Sequence, residues 1–258
     1  MLFTVDVGNS NIVAGLWKGD ELIQTWRVHT VSRKTEDEYA TIFRALFADS
    51  GHDPKAVRAS CLSSVVPALS DAMAAMLQGL CGRAPIVLGP ETYPDLPVDV
   101  VNPHEVGADL VADALAARAL CTGACIVVDF GTALTFTAVS ASGRMEGVAI
   151  APGLGTAVNS LSRDTAQLPH VRLAAPPRPF GRNTIEAIQA GIVHGYTGLV
   201  EHMVAQIKEA LGGEAFVVAT GGLSGVIAPL TKVFDALDIN LTLRGLKLVA
   251  DRLAATSH

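Results

Sequence analysis

What the chain has little of narrows the field first. Its 258 residues include four cysteines, Cys61, Cys81, Cys121 and Cys125. They form no Cys-x-x-Cys pair, and Cys121 with Cys125 has no second pair to complete a zinc site. They read as reduced, mostly buried thiols of a cytosolic protein. Positive charge is also scarce. The formal net charge is −6, which argues against a broad nucleic-acid footprint. No uncharged apolar run reaches membrane-spanning length, and no basic region with a cleavable apolar segment precedes the first strand. The expectation is a soluble, cytoplasmic protein with no nucleic-acid or membrane partner. Two nucleotide-binding signatures are missing as well. No Gly-x-x-x-x-Gly-Lys-Ser/Thr occurs, so a P-loop is excluded. Gly153-x-Gly155 lacks the third glycine of a dinucleotide loop, because Val158 stands there.

What is present is core and small polar turns. Half of the residues are hydrophobic, which allows a sizeable core and argues against disorder, and the length suits one large domain or two moderate ones. The first apolar run, Leu2 to Val5, reads as a buried strand and ends in Asp6-Val-Gly-Asn-Ser-Asn11. Gly8 lets the backbone turn and approach a ligand, and the amides of Asn9, Ser10 and Asn11 suit a phosphate. Asp6 would repel a phosphate directly but suits a bridging Mg²⁺. The plainer alternative is a hairpin turn closed by Asx-turns. A second run, Ala124 to Val128, ends in Asp129-Phe-Gly-Thr-Ala133, and a third, Phe216 to Ala219, ends in Thr220-Gly-Gly222. Repetition of strand-then-Asp-x-Gly half a chain apart predicts a duplicated α/β domain with a nucleotide held between similar halves. The expected domains are 1–115 and 116–258.

Other elements follow from spacing. Ile12–Trp17 and Leu22–Val28 read as a hairpin continuing from strand one. Thr35 with Glu38 makes a capping box, followed by Tyr39, Ile42, Phe43, Leu46 and Phe47 at helical spacing and a stop at Gly51. Val57–Leu62 is an expected strand, and Ser63 or Ser64 the N-cap of the helix after it. Val111, Leu115 and Leu120 mark a helix whose first turn contains Asp109. That carboxylate reads either as a helix-start acid that complements the dipole or as a general base beside the small-residue loop of Gly107 and Ala108. Asp113, one turn on, reads as structural, and His104 as a surface group. Thr184 is an expected N-cap of a helix through Ile185, Ile188, Ile192 and Val193. Gly191, Gly195 and Gly198 on that helix permit close packing, within the chain or across a dimer seam. Val200–Leu211 is amphipathic, Pro169–Pro179 a loop, and Leu241–Leu253 a closing helix.

Taken in order, the motifs resemble those of the type III pantothenate kinases, of the actin-like, acetate- and sugar-kinase superfamily. The matching pieces are Asp6–Asn11, Ser63-Ser-Val-Val-Pro67, Asn102-Pro-His-Glu-Val-Gly-Ala-Asp109, Asp129–Ala133, Ala151-Pro-Gly153, Thr165-Ala-Gln-Leu-Pro169, Asn183-Thr184, Thr220–Gly222 and Leu241-Thr-Leu-Arg-Gly-Leu246. They cover nearly the whole chain. The resemblance implies two tandem ribonuclease-H-like (actin-like ATPase) domains, ATP in the cleft between them, and a homodimer. It implies that Asp6, Val7, Gly8, Asn9, Ser10, Asn11, Ile12 and Val13 wrap the ATP phosphates with Mg²⁺ at Asp6, and that Thr132 touches ATP. Asp129 would bind a monovalent cation, K⁺ or NH₄⁺. Gly107, Ala108, Leu110 and Thr184 would fall at the pantothenate site, with Asp109 as the base for its primary hydroxyl.

The chain departs from that family at four places. Leu110 stands where arginine is usual, so the bidentate partner for the substrate carboxylate is missing. Val100 and Val101 stand near a common tyrosine, Thr137 at a common aspartate and Asp113 at a common asparagine. These changes keep open a same-fold kinase for another small hydroxyl substrate, or a non-catalytic nucleotide-binding regulatory paralogue.

Overall fold

The computed structural model describes residues 1–163 and 171–256. The Thr165–Pro169 motif and the start of the Pro169–Pro179 loop lie outside the described residues. The chain divides into two compact units: Met1–Ala116 with the C-terminal stretch from Leu241, and Ala117–Asn240.

The first unit holds β1 (Leu2–Val7), β2 (Asn11–Lys18), β3 (Glu21–His29), α1 (Glu36–Asp49), β4 (Ala59–Ser64), α2 (Pro67–Cys81), β5 (Ile86–Val87), β6 (Asp99–Val100) and α3, which starts at Ala108 and runs to Leu120. Its sheet runs β3-β2-β1-β4-β5. β1 is antiparallel to β2 and parallel to β4. Alternation sends Phe3, Val5 and Val7 to one face, against Tyr39, Phe43 and Phe47 of α1 and Leu69, Met73 and Leu77 of α2. Phe3 meets Phe47 edge-on at 5.1 Å between ring centroids. The expected box at α1 is there: Glu38 N–H donates to Thr35 Oγ1 and Thr35 N–H to Glu38 Oε2 at 2.8 Å. At α2 the expectation is corrected. Val66 is the N-cap, with Pro67 at N1. Ser63 lies inside β4, and Ser64 Oγ instead accepts from Val66 N–H at 3.3 Å.

The second unit carries β7 (Cys125–Phe130), β8 (Ala133–Val139), β9 (Arg144–Pro152), α4 (Leu154–Arg163), α5 (Thr184–Ala210), β10 (Phe216–Thr220), the short α6 (Ser224–Ile227) and β11 (Ala236–Leu237). Its strands run β9-β8-β7-β10-β11. The order and directions repeat those of the first sheet, with β7 antiparallel to β8 and parallel to β10. Asp6 and Asp129 are each the fifth residue of a six-residue first strand. Ile126, Val128 and Phe130 pack on Val193, Val200 and Val204 of α5. That helix is continuous over 27 residues, joining the two helical stretches expected separately. Its interior glycines each cost about 1 kcal/mol of helix propensity, and the buried face offsets it. Among the described residues a Cβ at Gly191, Gly195 or Gly198 would meet nothing within 4 Å, so none of these glycines packs closely against them.

The last helix, α7 (Leu241–Thr256), corrects the expected 116–258 domain, because it belongs to the first unit. Its spacing announces an amphipathic helix but not the sheet it covers. A Cβ at Gly15 in β2 would stand 3.0 Å from Leu243 Cδ1 and 3.1 Å from Thr4 Oγ1, so α7 lies on the Thr4 face of the first sheet. A Cβ at Gly245 would stand 2.0 Å from the Ala112 carbonyl oxygen, so α7 also presses directly on α3. Beside that contact Thr242 Oγ1 donates to the buried Asp113 carboxylate at 2.8 Å.

The cysteines are free, and burial pushes the Cys61 thiol up to about 12 and that of Cys81 to about 11. Among the described residues no helix is long and apolar enough to cross a membrane.

Candidate active site

In the first unit three separate motifs meet. β1 ends beside β4, with Asp6 opposite Ser63 and Val7 opposite Ser64. Val65 N–H donates to Val7 O at 3.0 Å, which carries the Ser63–Pro67 motif alongside the Asp6 loop. The loop itself is tight: Gly8 N–H donates to Asn11 O at 3.1 Å, and a Cβ at Gly8 would stand 3.1 Å from that same oxygen. Thr30, just past β3, fixes it from outside. Thr30 Oγ1 donates to Gly8 O at 2.7 Å and Thr30 N–H to Ser10 O at 3.0 Å. Asn9 is exposed, Asp6, Ser10, Asn11 and Val13 are half-buried, and Val7 and Ile12 belong to the core.

The third motif closes on the second. A Cβ at Gly107 would stand 3.3 Å from Val65 Cγ1 and 2.4 Å from Asp109 Oδ1. Asp109 lies in the first turn of α3, and its Oδ1 accepts from Leu110 N–H at 2.8 Å. Burial raises the Asp109 carboxyl above the usual carboxylate range, while hydrogen bonds from the backbone of Leu110 and of Asp109 itself oppose the shift. Ala108 is buried and Leu110 half-buried. Tyr93, buried in a 3₁₀ turn, senses the same carboxylate. Burial pushes its phenol up to about 12, and the negative charge of Asp109 adds to the effect. Sequence reading missed both Thr30 and Tyr93. Thr30 acts over 22 residues, and neither carries a local signature. His104 is exposed.

In the second unit Asp129 lies beside Thr220 across β7 and β10. Its carboxylate is wedged between two glycines. A Cβ at Gly221, where φ is +89°, would stand 2.4 Å from Asp129 Oδ1, and one at Gly131 would stand 3.3 Å from Oδ2. Gly153, at the start of α4, packs on the same loop: a Cβ there would stand 2.3 Å from Gly131 O and 2.5 Å from Thr132 O. Thr132 is exposed in the turn between β7 and β8. Thr135 and Thr137 are buried on β8 and their hydroxyls find no hydrogen-bond partner among the described residues.

Thr184 lies at the start of α5. The N-cap of α5 is Asn183, whose side chain accepts from Glu186 N–H at 2.9 Å, so the expectation for Thr184 is corrected. Asparagine wins because its amide oxygen reaches the N3 amide while its amide nitrogen donates to Glu186 Oε1 at 3.0 Å. Thr184 is the first helical residue and lines an open hollow of about 590 Å³ with Leu161, Gly181, Arg182, Ile188 and Ile192.

A doubled β3-β2-β1-β4-β5 sheet with an acid at the end of each first strand defines an actin-like ATPase and sugar-kinase fold. Solved structures agree. The activator of 2-hydroxyisocaproyl-CoA dehydratase from Clostridium difficile, solved with ADPNP, superposes at a TM-score of 0.56 with 11% identity, over 99% of this chain and 96% of that one. A Sinorhizobium meliloti protein assigned as a 2-dehydro-3-deoxygalactonokinase gives 0.59 at 15% identity, over 96% and 95%. Within that fold the sequence is more specific. The family model described as type III pantothenate kinase matches residues 2–206. The type III pantothenate kinases of Moorella thermoacetica and Myxococcus xanthus are 45% and 41% identical over 252 residues, covering 98% of this chain and 99% and 98% of theirs. The chain belongs to the type III pantothenate kinase family, a family of ATP-dependent kinases.

Proposed function

We propose that this chain transfers the γ-phosphate of ATP to the primary hydroxyl of pantothenate, giving 4′-phosphopantothenate on the route to coenzyme A, with Asp109 as the base. The observation that supports this most is the Asp109 carboxylate. It is held by one oxygen on the Leu110 amide, pressed by Gly107 and made more basic by burial. The carboxylate would take the hydroxyl proton as the substrate oxygen attacks phosphorus. Phosphoryl transfer asks mainly for positioning and charge neutralisation, and a base with a raised proton affinity suits a hydroxyl better than an ordinary carboxylate.

The Asp6–Val13 loop would hold the ATP phosphates through its backbone amides, and Thr132 would touch ATP. The donor set fits Mg²⁺: Asp6 offers carboxylate oxygen, and its neighbour across β4, Ser63, is fully buried with a hydroxyl that meets no partner among the described residues. Bound there, Mg²⁺ would neutralise phosphate charge. Asp129, framed by Gly131 and Gly221, offers hard oxygen to a monovalent cation, K⁺ or NH₄⁺. Gly107, Ala108, Leu110 and Thr184 would line the pantothenate site. A homodimer is supported by exposed Ile150, Phe180 and Ile185 and by the open glycine face of α5. We place the enzyme in the cytoplasm.

Leu110 supports a second reading, a same-fold kinase for a hydroxyl substrate without a carboxylate. Pantothenate-dependent ADP formation, compared with a panel of small alcohols, separates the two. Turnover only with a non-acidic alcohol would replace the first reading with the second.

A further inference from the structure

We propose that Thr156 is a positioning residue that sets how Thr132 is presented to nucleotide. The proposal rests on the reading that Thr132 touches ATP. Thr132 sits in the short turn after Gly131, where the absence of a side chain leaves the backbone free to twist. Its carbonyl is gripped by two donors from the start of α4. Gly153 N–H donates to it at 3.0 Å and Thr156 Oγ1 at 2.7 Å. Fixing that oxygen fixes the planar Thr132–Ala133 peptide, and with it the direction in which the Thr132 side chain leaves the turn.

The grip is itself anchored. Gly153 is pressed onto Gly131 O and Thr132 O so closely that no side chain fits. The residue before it, Pro152, accepts at its carbonyl from Tyr196 Oη of α5 at 2.8 Å. The chain therefore runs from a long helix, through Pro152 and Gly153, to one carbonyl in the turn. A threonine in the first turn of a helix normally has solvent or its own helix to bond. Thr156 reaches back 24 residues instead.

The test compares Thr156→Val, which keeps the shape and removes the donor, with Thr156→Ser, which keeps the donor. Binding of a non-hydrolysable ATP analogue is measured by calorimetry with Mg²⁺, beside KM for ATP, KM for pantothenate and Tm. Thr156→Val is expected to weaken nucleotide binding and raise KM for ATP about three- to tenfold, the scale of one lost hydrogen bond. KM for pantothenate should stay within about twofold, and Thr156→Ser should restore ATP binding. Unchanged nucleotide binding in Thr156→Val, or a Thr156→Ser variant as impaired as it, overturns the proposal. Thr132→Ala is run alongside. If it leaves ATP binding intact, the reading beneath the proposal fails. If it weakens binding while Thr156→Val does not, only the role of Thr156 fails.

Discussion

The Gly107 backbone and the Asp109 carboxylate are in direct contact: a Cβ added at Gly107 would stand 2.4 Å from Asp109 Oδ1. A methyl group there must push the carboxylate off the Leu110 amide or shift the start of α3. Gly107→Ala is therefore expected to lower kcat about a hundredfold, the scale of an ångström-sized misplacement. Steady-state kinetics with ATP and pantothenate checks this. A kcat within twofold of wild type would mean that the carboxylate position is not used.

The raised Asp109 carboxyl predicts two pH effects of opposite kind. Activity needs the ionised base, so kcat/KM should rise with pH through a value above the ordinary carboxylate range. Stability runs the other way. The folded protein holds this proton more tightly than the unfolded chain, so the stability tied to it is full below the unfolded value and lost as pH rises through the folded one. Asp109→Asn should then abolish turnover and raise Tm at about pH 8, with the gain fading toward about pH 4. Thermal melts across that range decide it.

Thr242 and Asp113 couple the last helix to α3, which begins at Ala108. Removing the hydroxyl takes one donor from a buried carboxylate, which costs about 1–3 kcal/mol. Thr242→Val should lower Tm by about 2–8 °C with KM for ATP little changed. A melt unchanged from wild type would show that the bond contributes nothing.

Gly221 and Gly212 separate close approach from backbone strain. Both have positive φ, +89° and +99°, but only at Gly221 would an added Cβ be crowded, standing 2.4 Å from Asp129 Oδ1 and 2.6 Å from Phe130 N. Gly212→Ala should cost about 1–3 kcal/mol of strain alone. Gly221→Ala should cost more and should remove the stimulation of turnover by K⁺. Equal melts and equal cation responses would contradict the placing of a cation at Asp129.

Local signals were legible where cause and effect lie within a few residues. The Thr35–Glu38 box, the Tyr39–Phe43–Phe47 face and the paired Asp-x-Gly turns all stand in the sequence as they stand in the fold. Caps were harder, because Asn183 and Thr184 both suit the role and only the reach to Glu186 decides between them. Long-range partners left no mark. Nothing near Thr242 announces Asp113, and nothing near Leu241 says which of two similar sheets the last helix will cover. The same holds at the site: Asp109 was visible as an acid at a helix start, whereas Thr30, Tyr93 and Thr156 act on residues far away in the chain.

Leu110 offers a gain-of-function check on the substrate. Leu110→Arg would add a guanidinium beside the proposed pantothenate site, and a charge-assisted hydrogen bond contributes about 1.5–3 kcal/mol. KM for pantothenate should fall about tenfold or more with kcat retained. No change would place the substrate carboxylate elsewhere.

The most direct measurement is ADP release by the purified protein with ATP and Mg²⁺, with and without pantothenate, in wild type and Asp109→Asn. The account predicts ADP release that requires pantothenate, is accompanied by 4′-phosphopantothenate, increases with K⁺ and collapses in Asp109→Asn. Nucleotide binding without pantothenate-dependent turnover, or full activity in Asp109→Asn, would contradict it.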